Sequence, residues 1–213
     1  MTDSRPIFRK IIDAIHALQQ KTSTVHERAT AASRPGWPDS VSRTPRFGTA
    51  VSPYHAVYAA HYPLAAGMTL RFGQEERFVE RTVDIGGDIG VASWRKPIAA
   101  EPMLMLPWDW RLCLPTVREY GGLLRETLVA WRCNQTEQVL KTPVQRIDAG
   151  GVSIEGVEGT VLTGDSGGPI FLAFERPVLI GLMVSGGGGS CLQCHFKPLM
   201  DATEWMIREP GWR

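Results

Sequence analysis

The sequence lacks both an excess of charge of one sign and any long hydrophobic run. It carries 23 Lys and Arg against 22 Asp and Glu, a net charge of +1, which argues against a nucleic-acid-binding surface. No run of about 18 apolar residues is present, so we predict no membrane span. The first residues show no basic segment followed by an apolar stretch and a small-residue cleavage site. We therefore expect a cytoplasmic or intracellular protein, although a piece cut from a longer or exported chain would look the same.

Cysteine is also scarce. The four cysteines, Cys113, Cys133, Cys191 and Cys194, are too few and too unevenly placed for a disulfide-stapled extracellular scaffold, and they fit a reducing compartment better. The last two belong to a Cys-x-x-Cys-His string that ends at His195, a pattern used for haem attachment and similar to half of a zinc site. We predict free thiols, with no metal and no cofactor. A structural zinc held by the four cysteines, or with His195 as a ligand, is the alternative.

The chain has enough apolar material for a sizeable core, because 43% of its 213 residues are hydrophobic. Apolar residues recur at three- and four-residue steps between residues 6 and 20, which predicts an amphipathic N-terminal helix that packs on the core or contacts a partner. Turn formers at 32–40 indicate a linker, and short β-rich runs follow, for example at 78–83 and 123–131. Helical spacing at 198–208 predicts a C-terminal helix. It would bury Leu199, Ala202, Trp205 and Met206.

One serine stands in a setting that suits a nucleophile. Ser166 lies between glycines and next to an acid in the string Thr-Gly-Asp-Ser-Gly-Gly-Pro at 163–169, where a tight turn could hold its hydroxyl clear of the backbone. A serine hydroxyl is a weak nucleophile unless a neighbouring base takes its proton. The sequence therefore has to supply a base, and a carboxylate that orients it.

Candidates for both groups lie upstream. His61 ends an apolar run that predicts a strand followed by a short turn, and it is the candidate base. Asp88 stands just before a small, apolar run, where a buried strand could hold its carboxylate against an imidazole. Asp84, four residues earlier, could supply the carboxylate instead, and one sequence does not show which of the two reaches the ring.

These three blocks resemble those of the chymotrypsin-like serine peptidases. The Ala-Ala-His block ending at His61, the Asp-Ile-Gly-Val block starting at Asp88 and the serine block around Ser166 carry the resemblance, which covers about residue 47 to the C-terminus. It implies an all-β fold with two six-stranded antiparallel barrels, at 47–101 and 117–213, joined by a crossover at 102–116. The N-terminal helix and linker would occupy 1–46, and the C-terminal helix would close the second barrel.

The resemblance also implies roles for individual residues. His61, Asp88 and Ser166 would form a catalytic triad across the cleft between the barrels, and the backbone N–H groups of Gly164 and Ser166 would form the oxyanion hole. Thr160 would lie at the base of the pocket for the residue before the cleaved bond, and that place holds no acid, so cleavage after Arg or Lys is not expected. The facing wall would come from Met183, Val184, Ser185 and Gly186. The expected activity is that of a serine endopeptidase acting on a protein or peptide, with a small or apolar residue before the cleaved bond.

Asp165 indicates how the site would be kept active. In secreted zymogens of the resembled family, this aspartate binds a new N-terminus cut before an Ile-Val-Gly-Gly-like sequence, and no such sequence precedes Phe47. We therefore expect activity without proteolytic maturation, with Asp165 bound by a polar or cationic side chain or by backbone donors.

Two other functions stay open. One is a peptidase-fold module that binds a peptide without cutting it, and the other is an acyl hydrolase with the same machinery.

Overall fold

The computed structural model describes residues 34–105, 129–148, 151–154, 162–173, 176–185, 188–191 and 196–208. The chain divides into two compact units, Met1–Arg34 and Pro35–Arg213. The predicted N-terminal helix at 6–20 lies outside the described residues. Among the helices within the described ranges, none is long and apolar enough to cross a membrane.

The second unit is built mainly of short strands, which confirms the predicted all-β class. Its strands in the described ranges are β1 Val41–Ser42, β2 Gly48–Ser52, β3 His55–Ala59, β4 Thr69–Phe72, β5 Glu75–Phe78, β6 Arg81–Asp84, β7 Ile89–Ser93, β8 Leu104–Met105, β9 Val129–Cys133, β10 Val139–Asp148, β11 Gly151–Ile154, β12 Pro169–Leu172, β13 Val178–Ser185 and β14 Gly188–Cys191. The helix α1 spans Phe196–Arg208.

The first half of this unit forms a five-stranded antiparallel sheet in the order β1-β2-β3-β7-β6, which we call the front sheet, and a separate β4–β5 hairpin. The sheet starts earlier than the predicted boundary at residue 47. Although 32–40 is rich in turn formers, the chain after it pairs at once with β2, with Val41 opposite Thr49. Trp37 holds this entry because its indole N–H donates to the Val41 carbonyl.

The two faces of the front sheet pack against different cores, because side chains alternate along each strand. On one face, Ala56 and Tyr58 of β3 join Leu70 and Phe72 of the hairpin in a core that belongs to the front half. On the opposite face, Val57 of β3 and residues from β7 join residues of the second half in a larger, shared core. The members of that shared core include Val91, Trp131, Cys133, Phe171, Leu179, Leu182, Leu199 and Met206.

The second half forms a seven-stranded sheet in the order β12-β9-β10-β11-β14-β13-β8, and β12 also pairs with β13. The pairings are antiparallel except for β8 with β13. The described strands thus fall into sheets of five, seven and two strands, and the two six-stranded barrels stay a prediction. The predicted C-terminal helix is confirmed as α1, which starts two residues earlier than expected and buries Leu199 and Met206 completely. Ala202 is partly buried against the shared core.

The start of the predicted crossover touches both halves of the unit. The N–H of Met103 donates to the Ala50 carbonyl of the front sheet, and the N–H of Leu104 donates to the Pro177 carbonyl beside β13. The remainder of the expected crossover, from residue 106 to residue 116, lies outside the described residues. These two bonds fix the front sheet beside the second sheet, with the shared core between them.

Candidate active site

His61 lies at the carboxyl end of β3, the central strand of the front sheet. All five residues of β3 are buried, and the strand ends in a turn closed by the bond from the Tyr62 N–H to the Ala59 carbonyl, 3.0 Å. The turn directs His61 out of the sheet, with 42% of its side chain exposed. The apolar run that predicted a strand and then a turn therefore has that structure.

Asp88 lies in the hairpin turn between β6 and β7. Gly86, Gly87 and Asp88 have φ angles of 84°, 62° and 61°, and this left-handed region favours glycine and tolerates aspartate. The turn brings the carboxylate to the end of β3. Its Oδ2 lies 2.6 Å from His61 Nδ1, and its Oδ1 accepts from the His61 backbone N–H at 2.7 Å. The Asp88 carbonyl also accepts from the Ala60 N–H, so two backbone hydrogen bonds and one contact to the imidazole hold the end of β3 against this turn.

Asp84, the alternative orienting acid, has a different partner. Its Oδ1 accepts from the Gly86 N–H at 2.8 Å, at the start of the same turn. Asp84 therefore stabilises the glycine turn, and Asp88 is the carboxylate that contacts the ring.

Ser166 lies in the loop that precedes β12, which we call the serine loop (162–168). Gly164 and Gly167 on either side of it have φ angles of 102° and 83°, so the turn needs glycine at both places. The Ser166 Oγ lies 2.9 Å from His61 Nε2. Since Nδ1 donates its proton to Asp88, Nε2 is left to accept the Ser166 hydroxyl proton. The structure thus brings together His61, Asp88 and Ser166 in one hydrogen-bonded chain.

The serine loop is held between the two halves of the unit. A Cβ added at Gly167 would lie 3.2 Å from both the Ala59 nitrogen and the Phe47 Cβ, and one at Gly168 would lie 2.6 Å from the Cys133 carbonyl oxygen. Gly168 is therefore required for close contact, and Gly167 combines a tight contact with the positive φ of the turn. On the other side, the Gly167 N–H donates to the Met183 carbonyl, and the Met183 N–H donates to the Gly168 carbonyl.

Asp165 is buried beneath the serine loop and is bound by groups of the chain itself. Its Oδ2 lies 3.2 Å from Nη1 of Arg132 and accepts from the Leu162 N–H, while its Oδ1 accepts from the Gln135 N–H. The two charged side chains are 1% and 0% exposed. Burial lowers the pKa of Arg132, and the Asp165 charge opposes that effect. The expectation that Asp165 is bound by a cation and backbone donors is confirmed.

Three backbone N–H groups of the serine loop, those of Thr163, Gly164 and Ser166, have no acceptor among the described residues. The N–H groups of Asp165, Gly167 and Gly168 donate to carbonyls of Leu162, Met183 and Asp165, respectively. Within the described part of the chain, no hydrogen bond uses the N–H of Gly164 or Ser166. These are the two donors expected to line an oxyanion hole, and both flank the Asp165 anchor.

The residues expected to line the substrate pocket are only partly described. Thr160 and Gly186 lie outside the described residues, and Ser185 is described as the last residue of β13 without its side chain. Met183 is 1% exposed and holds the serine loop through its backbone, and Val184 is partly buried beside it.

Sequence reasoning missed Arg132, the partner of Asp165. A signal was present, because Arg132 is a charged residue flanked by Trp131 and Cys133 in an apolar stretch, where a charge needs a buried partner. The position of that partner is set by strand pairing, which places β9 between β10 and β12. The sequence pattern does not give this order.

Of the cysteines considered as zinc ligands, Cys133 is fully described. Its thiol is free and buried in the shared core, and burial raises its pKa. Cys191 lies in β14, and Cys113, Cys194 and His195 are outside the described residues. In the described ranges, no group of three or more His, Cys, Asp and Glu side chains is arranged to hold a metal ion.

No protein-family model matches the chain, and no curated protein matches it. The functional interpretation therefore depends on the geometry of the hydrogen-bonded chain from Asp88 to Ser166 and on the serine loop that holds it.

Proposed function

We propose that this protein is a serine endopeptidase that hydrolyses peptide bonds through an acyl-enzyme. The observation that carries the proposal is the pair of contacts made by the His61 ring, 2.6 Å to the Asp88 carboxylate and 2.9 Å to the Ser166 hydroxyl. Both distances are hydrogen-bond distances, and the ring nitrogens face the two groups in the order that general-base catalysis requires.

In the proposed reaction, Ser166 Oγ attacks the peptide carbonyl carbon while His61 Nε2 takes the hydroxyl proton. The resulting oxyanion accepts hydrogen bonds from the N–H groups of Gly164 and Ser166, each worth about 3 kcal/mol of transition-state stabilisation. His61 then gives its proton to the leaving amine as the C–N bond breaks. Water, deprotonated by His61, hydrolyses the acyl-enzyme by the same route, and Asp88 stabilises the imidazolium in both steps.

The strand pairings support a chymotrypsin-like, two-barrel arrangement as the fold behind this chemistry. In the second half, β12 pairs with both β9 and β13, so that β12, β9, β10, β11, β14 and β13 form a circuit in which each strand has two neighbours. In the first half, the β4–β5 hairpin packs on the front sheet through Leu70 and Phe72, and the Arg71 N–H donates to the Ser42 hydroxyl of β1. The proposed triad joins the two halves, with His61 and Asp88 from the first and Ser166 from the second.

The proposed enzyme is active without proteolytic maturation and does not select Arg or Lys before the cleaved bond. The first part is supported by the Asp165–Arg132 pair, because the serine loop is held in place by a cation from β9. The second part rests on the resemblance, which implies that Thr160 takes the pocket position where an acid would be needed to bind a basic side chain.

A fluorophosphonate probe tests the proposal, since such probes react only with an activated serine. We expect the intact chain to be labelled at Ser166, and Ser166→Ala and His61→Ala to lose the label while keeping the folded-state circular dichroism. Digestion of a peptide library by the wild type, with Ser166→Ala as the inactive control, then reports whether peptides are cleaved and which residue is preferred before the cleaved bond. A folded wild type that is neither labelled nor cleaves peptides would refute the proposal. A folded chain that binds library peptides without cutting them would instead be a noncatalytic binding module.

A further inference from the structure

A cation and an aromatic ring are stacked beside the candidate active site. The guanidinium carbon of Arg46 lies 4.1 Å from the centroid of the Tyr62 ring, and Arg46 Nη1 donates to the Pro63 carbonyl. Tyr62 directly follows His61 in the chain, and the residue is 37% exposed. We call Arg46 and Tyr62 the stacked pair.

The other end of the stacked pair also leads directly to the site. Arg46 precedes Phe47, which lies against Gly167, the residue after Ser166, so closely that a Cβ there would be 3.2 Å from the Phe47 Cβ. Each member of the stacked pair is thus one residue away from a residue that holds or forms the reactive centre. Stacking and the Pro63 bond both restrict the guanidinium, so its position is preorganised.

Among the described residues, no acid is paired with Arg46. Arg43, the nearest arginine in sequence, is paired with Glu137, and Asp165 and Asp88 are engaged by Arg132 and His61. Only one of the five N–H donors of Arg46 is used within the described ranges, which leaves a fork suited to a carboxylate.

We propose that the stacked pair recognises a carboxylate of the substrate on the leaving-group side of the cleaved bond. This inference rests on the proposed peptidase function. His61 gives its proton to the leaving amine, so the leaving half of the substrate lies against the imidazole and the stacked pair that follows it. The carboxylate is either an Asp or Glu side chain within the first three residues after the cleaved bond or the free C-terminus of a substrate cut near its end.

The test uses the full chain and quenched fluorescent peptides with one common acyl half. In the first set, each of the first three positions after the cleaved bond carries Glu, Gln or Lys in turn, and the C-terminus is amidated. In the second set, the peptides carry Gln at these positions and end at the first, second or third of them with a free carboxylate. We expect kcat/KM for Glu to exceed that for Gln by about three- to tenfold at one of these positions, with Lys lowest. The ratio falls when the salt is raised from about 0.1 M to about 1 M, which shortens the screening length from about 10 Å to about 3 Å. A preference for the carboxylate-ended set over Glu identifies the C-terminus as the ligand.

Variants assign the preference to the stacked pair. Arg46→Gln is expected to bring the Glu to Gln ratio close to one, and Arg46→Lys to keep part of it, because the charge remains without the fork. Tyr62→Phe keeps the ring and the ratio, whereas Tyr62→Leu removes the stacking and lowers the ratio. Arg95→Gln is the matched control. Arg95 is an exposed arginine paired with Glu80 just past the far end of β7 from Asp88, so its removal changes the net charge equally and leaves the ratio intact.

The ratio of kcat/KM for Glu peptides to kcat/KM for Gln peptides separates the outcomes, because a general loss of folding or activity lowers both values together and leaves their ratio unchanged. Equal cleavage of Glu, Gln and carboxylate-ended peptides by the wild type would overturn the inference and leave the peptidase proposal standing. So would a ratio that survives Arg46→Gln or collapses in Arg95→Gln. Absence of cleavage together with absence of fluorophosphonate labelling would instead refute the peptidase proposal, and this inference with it.

Discussion

Arg132 and Asp165 form an ion pair that is closed to solvent directly beneath Ser166, with 3.2 Å between the Arg132 Nη1 and the Asp165 Oδ2. Asp165 also accepts hydrogen bonds from the N–H groups of Leu162 and Gln135, so the residue before the candidate nucleophile is fixed from three directions. The cation comes from β9 rather than from a chain terminus. The serine loop therefore has its shape without any cut in the chain.

The first prediction concerns this ion pair. Arg132→Met leaves the Asp165 carboxylate buried with backbone donors alone, and we expect a loss of about 3–5 kcal/mol in the free energy of unfolding. Adding Asp165→Asn removes the uncompensated charge, so the double variant should recover part of that loss. Urea unfolding of the wild type, both single variants and the double variant measures the coupling. Strictly additive effects would contradict the prediction. Fluorophosphonate labelling should fall in Arg132→Met, because the Gly164 and Ser166 N–H groups lose their anchor.

The second prediction separates the two aspartates near His61. In Asp88→Asn, the side-chain amide no longer holds His61 in the tautomer with its proton on Nδ1, and we expect kcat to fall by about 10⁴-fold. Asp84→Asn keeps an acceptor for the Gly86 N–H and should change kcat by less than about threefold. Peptide cleavage rates of the two variants, measured side by side, provide the comparison. Equal losses in both variants would show that the Asp88 contact has no special role.

The local sequence predicted the candidate site better than it predicted the supports of that site. The strings around His61, Asp88 and Ser166 contain the turns that position these residues. The apolar run of β3 ends just before His61, and glycines that permit positive φ stand beside Asp88 and Ser166. The sequence leaves the choice between Asp84 and Asp88 open, since both lie in one hairpin and only its turn at 85–88 decides which carboxylate faces the ring.

Features that depend on strand pairing were not available from the sequence. The β-rich run at 78–83 is divided between two strands in the structure: β5 ends at Phe78 and β6 begins at Arg81. The reason is a change of partner, because the Val79 N–H donates to the Met68 carbonyl while the Glu80 N–H donates to the Ser93 carbonyl. A pattern of apolar residues reports that a segment is extended, but it does not report which neighbour the segment pairs with.

The third prediction tests close packing behind the Asp88 turn. Gly90 pairs with Tyr58 across β3 and β7, and a Cβ at Gly90 would lie 2.1 Å from the Tyr58 Cζ. Gly90→Ala must displace this buried ring, and we expect a loss of about 3 kcal/mol in the free energy of unfolding. In a Tyr58→Val background the same change should cost much less, which a double-mutant cycle detects. Gly36→Ala is the control, because nothing lies within 4 Å of the added Cβ. Equal effects of Gly90→Ala in both backgrounds would contradict the proposed clash.

The last prediction concerns His55, a buried histidine at the start of β3 that takes no part in the proposed chemistry. It is 0% exposed, its Nδ1 lies 2.7 Å from the Ser52 Oγ, and its Nε2 has no hydrogen-bond partner among the described residues. Burial lowers its pKa from 6.5 to about 4, because the charged ring would lose its hydration.

This lowered pKa makes stability depend on pH in a defined direction. Between pH 6.5 and about 4 the unfolded chain binds a proton at His55 that the folded chain does not, so stability is retained above the unfolded pKa and lost as the pH falls toward the folded one. The full loss from this residue is about 3 kcal/mol. His55→Gln cannot take up the proton, and its free energy of unfolding should be flatter between pH 6.5 and about 5, a window above the usual titration of carboxylates. Urea unfolding at half-unit pH steps measures both slopes. If the variant and the wild type have the same slope of unfolding free energy against pH in this window, proton uptake at His55 does not cause the pH dependence, and the prediction is wrong.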